Sequence, residues 1–180
     1  VFDELLANFL SLSENRKRIK KLKFPKIFDN NYSELIINKL PFKLTSSQIN
    51  VLNEINSDLT SDNRMFRIVQ GDVGSGKTIV SLLAIINVIK SGYQCALMSP
   101  TEILAKQHFE LTKKLFSEIN FEIDFLTGKT NLMERKSILK RLSDGKTKLL
   151  IGTHALFQKK INFYKLGLVV IDEQHKFGVK

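Results

Sequence analysis

The sequence predicts an α/β fold in which helices cover both faces of a parallel sheet. Two observations predict it. Beyond Pro41, short apolar runs of strand length alternate with segments of helical periodicity, and strands separated by helices return in the same direction, because a parallel crossover needs the long connection that a helix supplies. The runs Gln94–Ser99, Lys148–Gly152 and Leu166–Ile171 are also continuously apolar, the pattern of strands buried on both faces.

The elements follow in order. Val1–Leu12 reads as an amphipathic helix, with Leu5, Leu6, Phe9, Leu10 and Leu12 at helical spacing. A basic run follows, Arg16, Lys17, Arg18, Lys20, Lys21, Lys23 and Lys26, broken by Pro25 and by Asp29-Asn30-Asn31. A second short helix over Ser33–Lys39 stops before Pro41, since proline disfavours helical backbone in the residue preceding it. The boundary falls near Leu40: residues 1–40 form a helical linker with a basic segment, and residues 41–180 an incomplete core domain. Within the core, Phe66–Gln70 reads as a short strand ending in a Gly-rich loop. Thr78–Lys90 is helical through Val80, Leu83, Ala84, Asn87 and Val88. Gln94–Ser99 is a strand halted by Pro100, Glu102–Glu118 a helix, Phe121–Leu126 a strand and Asn131–Leu142 a basic amphipathic helix. The apolar runs Lys148–Gly152 and Leu166–Ile171 complete the sheet.

Composition sets bounds. An apolar share of 43% and a charged share of 26% over 180 residues are ordinary for a soluble globular chain, enough for one domain with an appendage. Lys and Arg outnumber Asp and Glu by 28 to 18, a formal charge of +10. That balance suits a polyanionic partner, because neutralising phosphates releases counterions. The abundance of Lys, Asn and Ile explains it equally well, so charge supports a nucleic-acid partner without establishing one. The single cysteine, Cys95, excludes an internal disulfide and fits a reducing compartment. No apolar stretch approaches the roughly 20 residues of a membrane-spanning helix, so a cytoplasmic location is expected.

The chemistry begins at Gly71-Asp72-Val73-Gly74-Ser75-Gly76-Lys77-Thr78, which fits the glycine, four residues, Gly-Lys-Thr pattern of a phosphate-binding loop. Gly71, Gly74 and Gly76 permit backbone conformations that turn amides inward toward phosphate oxygens. The helix that follows adds the positive end of its dipole. Lys77 reaches the outer phosphates and the Thr78 hydroxyl ligates Mg²⁺. Far along the chain, Asp172 and Glu173 end an apolar strand, where a parallel sheet borders its ligand crevice. Asp172 is then the Mg²⁺ carboxylate, held through water, and Glu173 the base that orients and deprotonates the attacking water. His108 and His154 have no carboxylate or cysteine at metal-ligand spacing, so no metal is assigned to them.

With these residues in hand, the chain resembles the RecG branch-migration helicases of superfamily two. Six pieces carry the resemblance, in the family's order from Pro41 to the chain end: Pro41–Gln48, the Gly71–Thr78 loop, Ser99–His108, Leu126-Thr127-Gly128, Gly152–Leu156 and Asp172–Val179. The opening Phe2–Leu6, with the basic run after it, is similar to the family's helical linker between a DNA-binding wedge domain and the motor. The resemblance implies a RecA-like fold, ATP and Mg²⁺, and a motor that remodels forks and Holliday junctions in recombination and repair. It implies that Gln48 reads the adenine edge, favouring ATP over GTP. It also implies that Pro100, Thr101 and Glu102, with Thr127, Gly128, Thr153 and His154, line the nucleic-acid track, and that Gln174 and His175 relay between phosphate and DNA.

Read as residues alone, the track positions are equally turns and caps, and Thr101-Glu102 a helix start. Lys176 stands where the family usually has Arg, keeping the charge but losing a planar fork. The family's second RecA-like domain, with its arginine finger, and its wedge fall outside these residues. An arginine supplied across the cleft is worth on the order of 10³ to 10⁵ in rate. The chain alone, a monomer, is therefore expected to bind MgATP weakly and hydrolyse it very slowly. Two readings stand beside this one: a truncated or split-gene fragment that binds nucleotide without helicase activity, and the motor domain of a transcription-repair coupling factor. The latter shares the Gly-Asp-Val-Gly start and the Phe-Gly-Val ending, although Ser75 and Gln174-His175 fit RecG better. A GTPase would carry an Asn-Lys-x-Asp guanine reader, and the sequence has none.

Overall fold

The computed structural model describes residues 31–158 and 161–173. The expected helix over Val1–Leu12, the basic run Arg16–Lys26, and Gln174, His175 and Lys176 lie outside them.

Helices α1 (Asn31–Ile37), α2 (Ser46–Thr60) and α3 (Lys77–Lys90) precede the first strand, β1 (Gln94–Met98). Then come α4 (Glu102–Leu115), β2 (Glu122–Leu126), α5 (Leu132–Ser143), β3 (Thr147–Gly152), a single 3-10 turn (His154–Phe157) and β4 (Leu166–Ile171). The strands pair in parallel in the order β2-β3-β1-β4. Met98 is level with both Gly152 and Ile171, and Leu126 with Gly152, so all four strands end along one line. That line positions the site.

Alternation along the strands divides the core into two layers. Cys95, Leu97, Leu149, Ile151 and Leu168 face α2 and α3. Ala96, Met98, Leu126 and Leu150 face Ile138 and Leu142 of α5 and Leu156 of the 3-10 turn. Within α3, Ile79, Val80 and every residue from Leu82 to Ile89 are buried, so this helix is a core element apolar around its whole circumference. Phe109 and Leu115 of α4 lean on the same layer, Phe109 against Phe125 with centroids 5.3 Å apart.

One polar residue, Asn87, sits fully buried in α3, and its position is explained by its partners. Its Oδ1 accepts the Ser33 N–H at 2.8 Å, and its Nδ2 donates to Ser33 Oγ at 3.1 Å and Asn56 Oδ1 at 3.2 Å. The carboxamide ties α1 and α2 to α3, and Ile36 enters the main core beside it. Thus α1 packs with residues beyond Leu40. Gln94, also buried, closes the other end of the sheet: Nε2 donates to the Leu142 and Thr147 carbonyls, and Oε1 accepts the Lys165 N–H.

Two expectations are corrected. Phe66–Gln70 forms no strand, and Phe66 and Ile68 are 73% and 69% exposed. The strand β4, expected to be buried, is half open, with Val169 and Ile171 exposed. An apolar run predicts burial only where a layer exists to cover it. Among the described residues no further strand pairs with the outer edge of β4. Smaller differences lie at helix ends: α4 stops at Leu115, where the Phe116 N–H closes on the Thr112 carbonyl and its ring packs against Phe121. No helix among the described residues is long and apolar enough to cross a membrane.

Candidate nucleotide-binding site

The loop Gly71–Thr78 runs into the N-terminus of α3. Gly76 is the N-cap, with φ 80°, and no side chain caps the helix. The positive end of the α3 dipole therefore points into the loop, as an anion site requires. Lys77 lies across it, Nζ donating to the Gly71 carbonyl at 2.7 Å and the Asp72 carbonyl at 2.8 Å. Asp72, Val73, Gly74 and Ser75 are exposed, and Thr78 is half-buried in the first turn of α3.

Gln48 meets the loop from the side. With Thr45 it forms a capping box that starts α2: the Gln48 N–H donates to Thr45 Oγ1 at 3.2 Å and the Thr45 N–H to Gln48 Oε1 at 2.9 Å. Its Nε2 donates to the Ser75 carbonyl at 2.9 Å. Both ends of the carboxamide are thereby engaged, and α2 is stitched to the phosphate loop. Gly76 has φ 80°, a left-handed conformation that calls for glycine there.

Asp172 follows β4, its N–H donating to the Met98 carbonyl at 2.8 Å. Its Oδ2 lies 2.7 Å from His108 Nε2 on α4, with both side chains largely buried. The His108 hydrogen bond holds the Asp172 carboxyl below its ordinary value; burial opposes this, and the positive charge of Lys77 adds a smaller push the same way. Lys77, distant in sequence, is thus near enough to contribute weakly to the Asp172 electrostatics. Glu173 follows with φ 48°, a left-handed conformation uncommon outside glycine and a constraint on the turn after the acid.

His108 is the residue that sequence reasoning missed. Its carboxylate lies 64 residues away and is brought to it by strand order, so no local spacing could reveal the pair. The one legible signal is its place with Ala105 and Thr112 on the buried face of α4.

The remaining rim residues follow from the parallel sheet. Pro100, Thr101 and Glu102 follow β1, Thr127 and Gly128 follow β2, and Thr153 and His154 follow β3. The Thr101 side chain caps α4 by accepting the Leu104 N–H at 3.3 Å. Thr127 Oγ1 accepts the Lys129 N–H at 3.2 Å, and Lys129 Nζ pairs with Glu102 at 2.8 Å across the gap between the β1 and β2 loops. Thr127 and Thr153 are buried, whereas Thr101, Gly128 and His154 are exposed. A carboxylate repels phosphate, so Glu102 suits the rim by orienting Lys129, a cation absent from the expected set.

The donors fit magnesium held on a nucleotide. Thr78 and Asp172 offer hard oxygens, and Mg²⁺ on phosphates takes one or two protein oxygens and keeps its waters rather than needing a protein cage. When bound, the ion supplies charge neutralisation on the phosphoryl oxygens.

Comparisons with known proteins identify the family and the fold. Residues 45–180 match the DEAD/DEAH box helicase family. The chain is 46% identical over 180 residues to the ATP-dependent DNA helicase RecG of Aquifex aeolicus, covering 99% of this chain and 23% of that protein. To RecG of Synechocystis it is 46% identical over 182 residues, covering 100% and 22%. The chain thus spans about a quarter of the length of the curated relatives it matches. Among solved structures, RecG bound to a three-way DNA junction matches with TM-score 0.84 at 42% identity, over 96% of this chain and 24% of that one. The UvsW helicase of bacteriophage T4 shares the fold at TM-score 0.57 and 15% identity. With a RecA-like parallel sheet, a phosphate loop and an acidic strand end on one rim, the chain belongs to the DEAD/DEAH box helicase family.

Proposed function

We propose that this chain is the ATP-binding half of a RecG-like DNA motor that remodels branched DNA in recombination and repair. What carries the reading is the placement of the phosphate loop at the N-terminus of α3 and of Asp172 at the end of β4, beside the carboxyl end of β1. Gly71–Thr78 cradles the triphosphate, Lys77 leaves the loop carbonyls for the outer phosphates, and Thr78 and Asp172 hold Mg²⁺. Glu173 orients the attacking water and takes its proton as the terminal phosphoryl group leaves ADP.

Gln48 reads adenine, and to do so its carboxamide gives up its contacts with Thr45 and Ser75. Pro100, Thr101, Glu102, Thr127, Gly128, Thr153 and His154 line the DNA track, joined by Lys129; Gln174 and His175 relay between nucleotide and DNA. Residues 1–40 serve as the linker and 41–180 as the first motor domain. The similarity to a protein seen on a three-way DNA junction supports branched DNA as the substrate.

The test is a titration with fluorescent ATP and GTP, with and without Lys77→Ala. ATP is expected to bind at least tenfold more tightly than GTP, a difference of about 1.4 kcal/mol, and Lys77→Ala to abolish both. Indifference to that substitution would remove the basis of the reading.

A further inference from the structure

We propose that His108 is a positioning residue for the magnesium site: its hydrogen bond to Oδ2 fixes the Asp172 carboxylate so that Oδ1 is left to the metal. The inference rests on the reading of Asp172 as a magnesium ligand and goes beyond it, since it assigns a role to a residue of another element. An ionised carboxylate only accepts, so the 2.7 Å contact identifies Nε2 as the protonated ring nitrogen. Without that contact, the Asp172 side chain keeps the weaker hold of the Glu173 backbone N–H, beside the bond of its own N–H to Met98.

The histidine is itself held. It is 8% exposed on the α4 face that also buries Ala105 and Thr112, and Thr112 Oγ1 donates to the His108 carbonyl at 2.6 Å. Carboxylates that ligate metals are commonly fixed by such outer partners, whose removal costs 10- to 100-fold in metal affinity. His108 also rides on the helix that Thr101 caps, about 10 Å away along the axis. The acid beside the nucleotide is therefore fastened to the helix that begins at the rim of the DNA track.

The experiment measures how much Mg²⁺ the unfragmented chain needs for half-maximal binding of fluorescent ADP. His108→Ala is expected to raise that requirement 10- to 100-fold while leaving ADP affinity in EDTA unchanged. His108→Gln, whose amide can donate to Oδ2, should recover most of the loss. An unchanged magnesium requirement, or equal weakening with and without Mg²⁺, overturns the proposal. Asp172→Asn separates the two levels: if it too leaves the requirement unchanged, the metal reading itself has failed. Should the histidine variants not fold, the unsubstituted chain still answers. With Mn²⁺ and ADP, the His108 ring signals should broaden ahead of those of His154, and equal or absent broadening overturns the assignment.

Discussion

Gly152 shows how much one residue at the rim can constrain. It ends β3, and a Cβ there would lie 1.9 Å from the Leu126 carbonyl oxygen on the neighbouring strand. No rotamer relieves a clash with backbone, so β2 and β3 would have to separate where Thr127 and Thr153 are placed. Gly152→Ala should destabilise the fold by about 3 kcal/mol, the upper end of the usual overpacking range. Urea denaturation would measure it, and a loss below about 0.5 kcal/mol would mean that the strand ends are not so closely apposed. At this scale the sequence was legible wherever chemistry is local. The Gly71–Thr78 and Asp172-Glu173 motifs announce themselves because the residues proposed for one job are adjacent in sequence. His108 does not, because its partner is a neighbour only in space. Lys129 likewise acquires its place only through Glu102.

Elements were legible where periodicity and burial agree. The buried strand expected at Gln94–Ser99 ends one residue earlier, at Met98, and the expected helix at Thr78–Lys90 differs from α3 by one residue at its start. The Asn87 partnership was not legible: a lone polar residue in an apolar helix says nothing about which helices it binds. Its carboxamide serves α1 and α2 together, so Asn87→Ala removes the acceptor of the Ser33 N–H and the donor to Asn56. The expected cost is about 1–3 kcal/mol, with α1 the first element to lose protection in hydrogen exchange. Global loss with no early release of α1 would show that the amide does not act as its clasp. The surface pair of Lys39 and Glu118 makes the contrast. The lysine lowers the Glu118 pKa, yet both groups are exposed, and exposed pairs contribute little. Lys39→Ala should leave the unfolding midpoint unchanged.

For the whole molecule, the parallel sheet turns four separate loops into one surface, because strands running the same way end on the same side. The phosphoryl transfer proposed for that surface also needs charge compensation beyond one lysine. A transition-state arginine contributes on the order of 10³ to 10⁵ in rate, and the proposed motor receives it across a cleft. These 180 residues should therefore bind MgATP yet turn it over slowly, with little response to DNA; a coupled phosphate assay showing DNA-stimulated turnover of several per second would refute this. The sequence by itself determined the α/β class and the four paired strands with the helices between them, and it carries the phosphate-loop and acidic-pair motifs, since each is written in contiguous residues; it missed α2 and expected a strand at Phe66–Gln70 that does not form. Only the tertiary structure decided the strand order, the burial of Asn87, the open edge of β4 and the bond between His108 and Asp172. These are contacts between segments far apart in the chain, chosen by which faces can be covered together, and no local pattern encodes that choice.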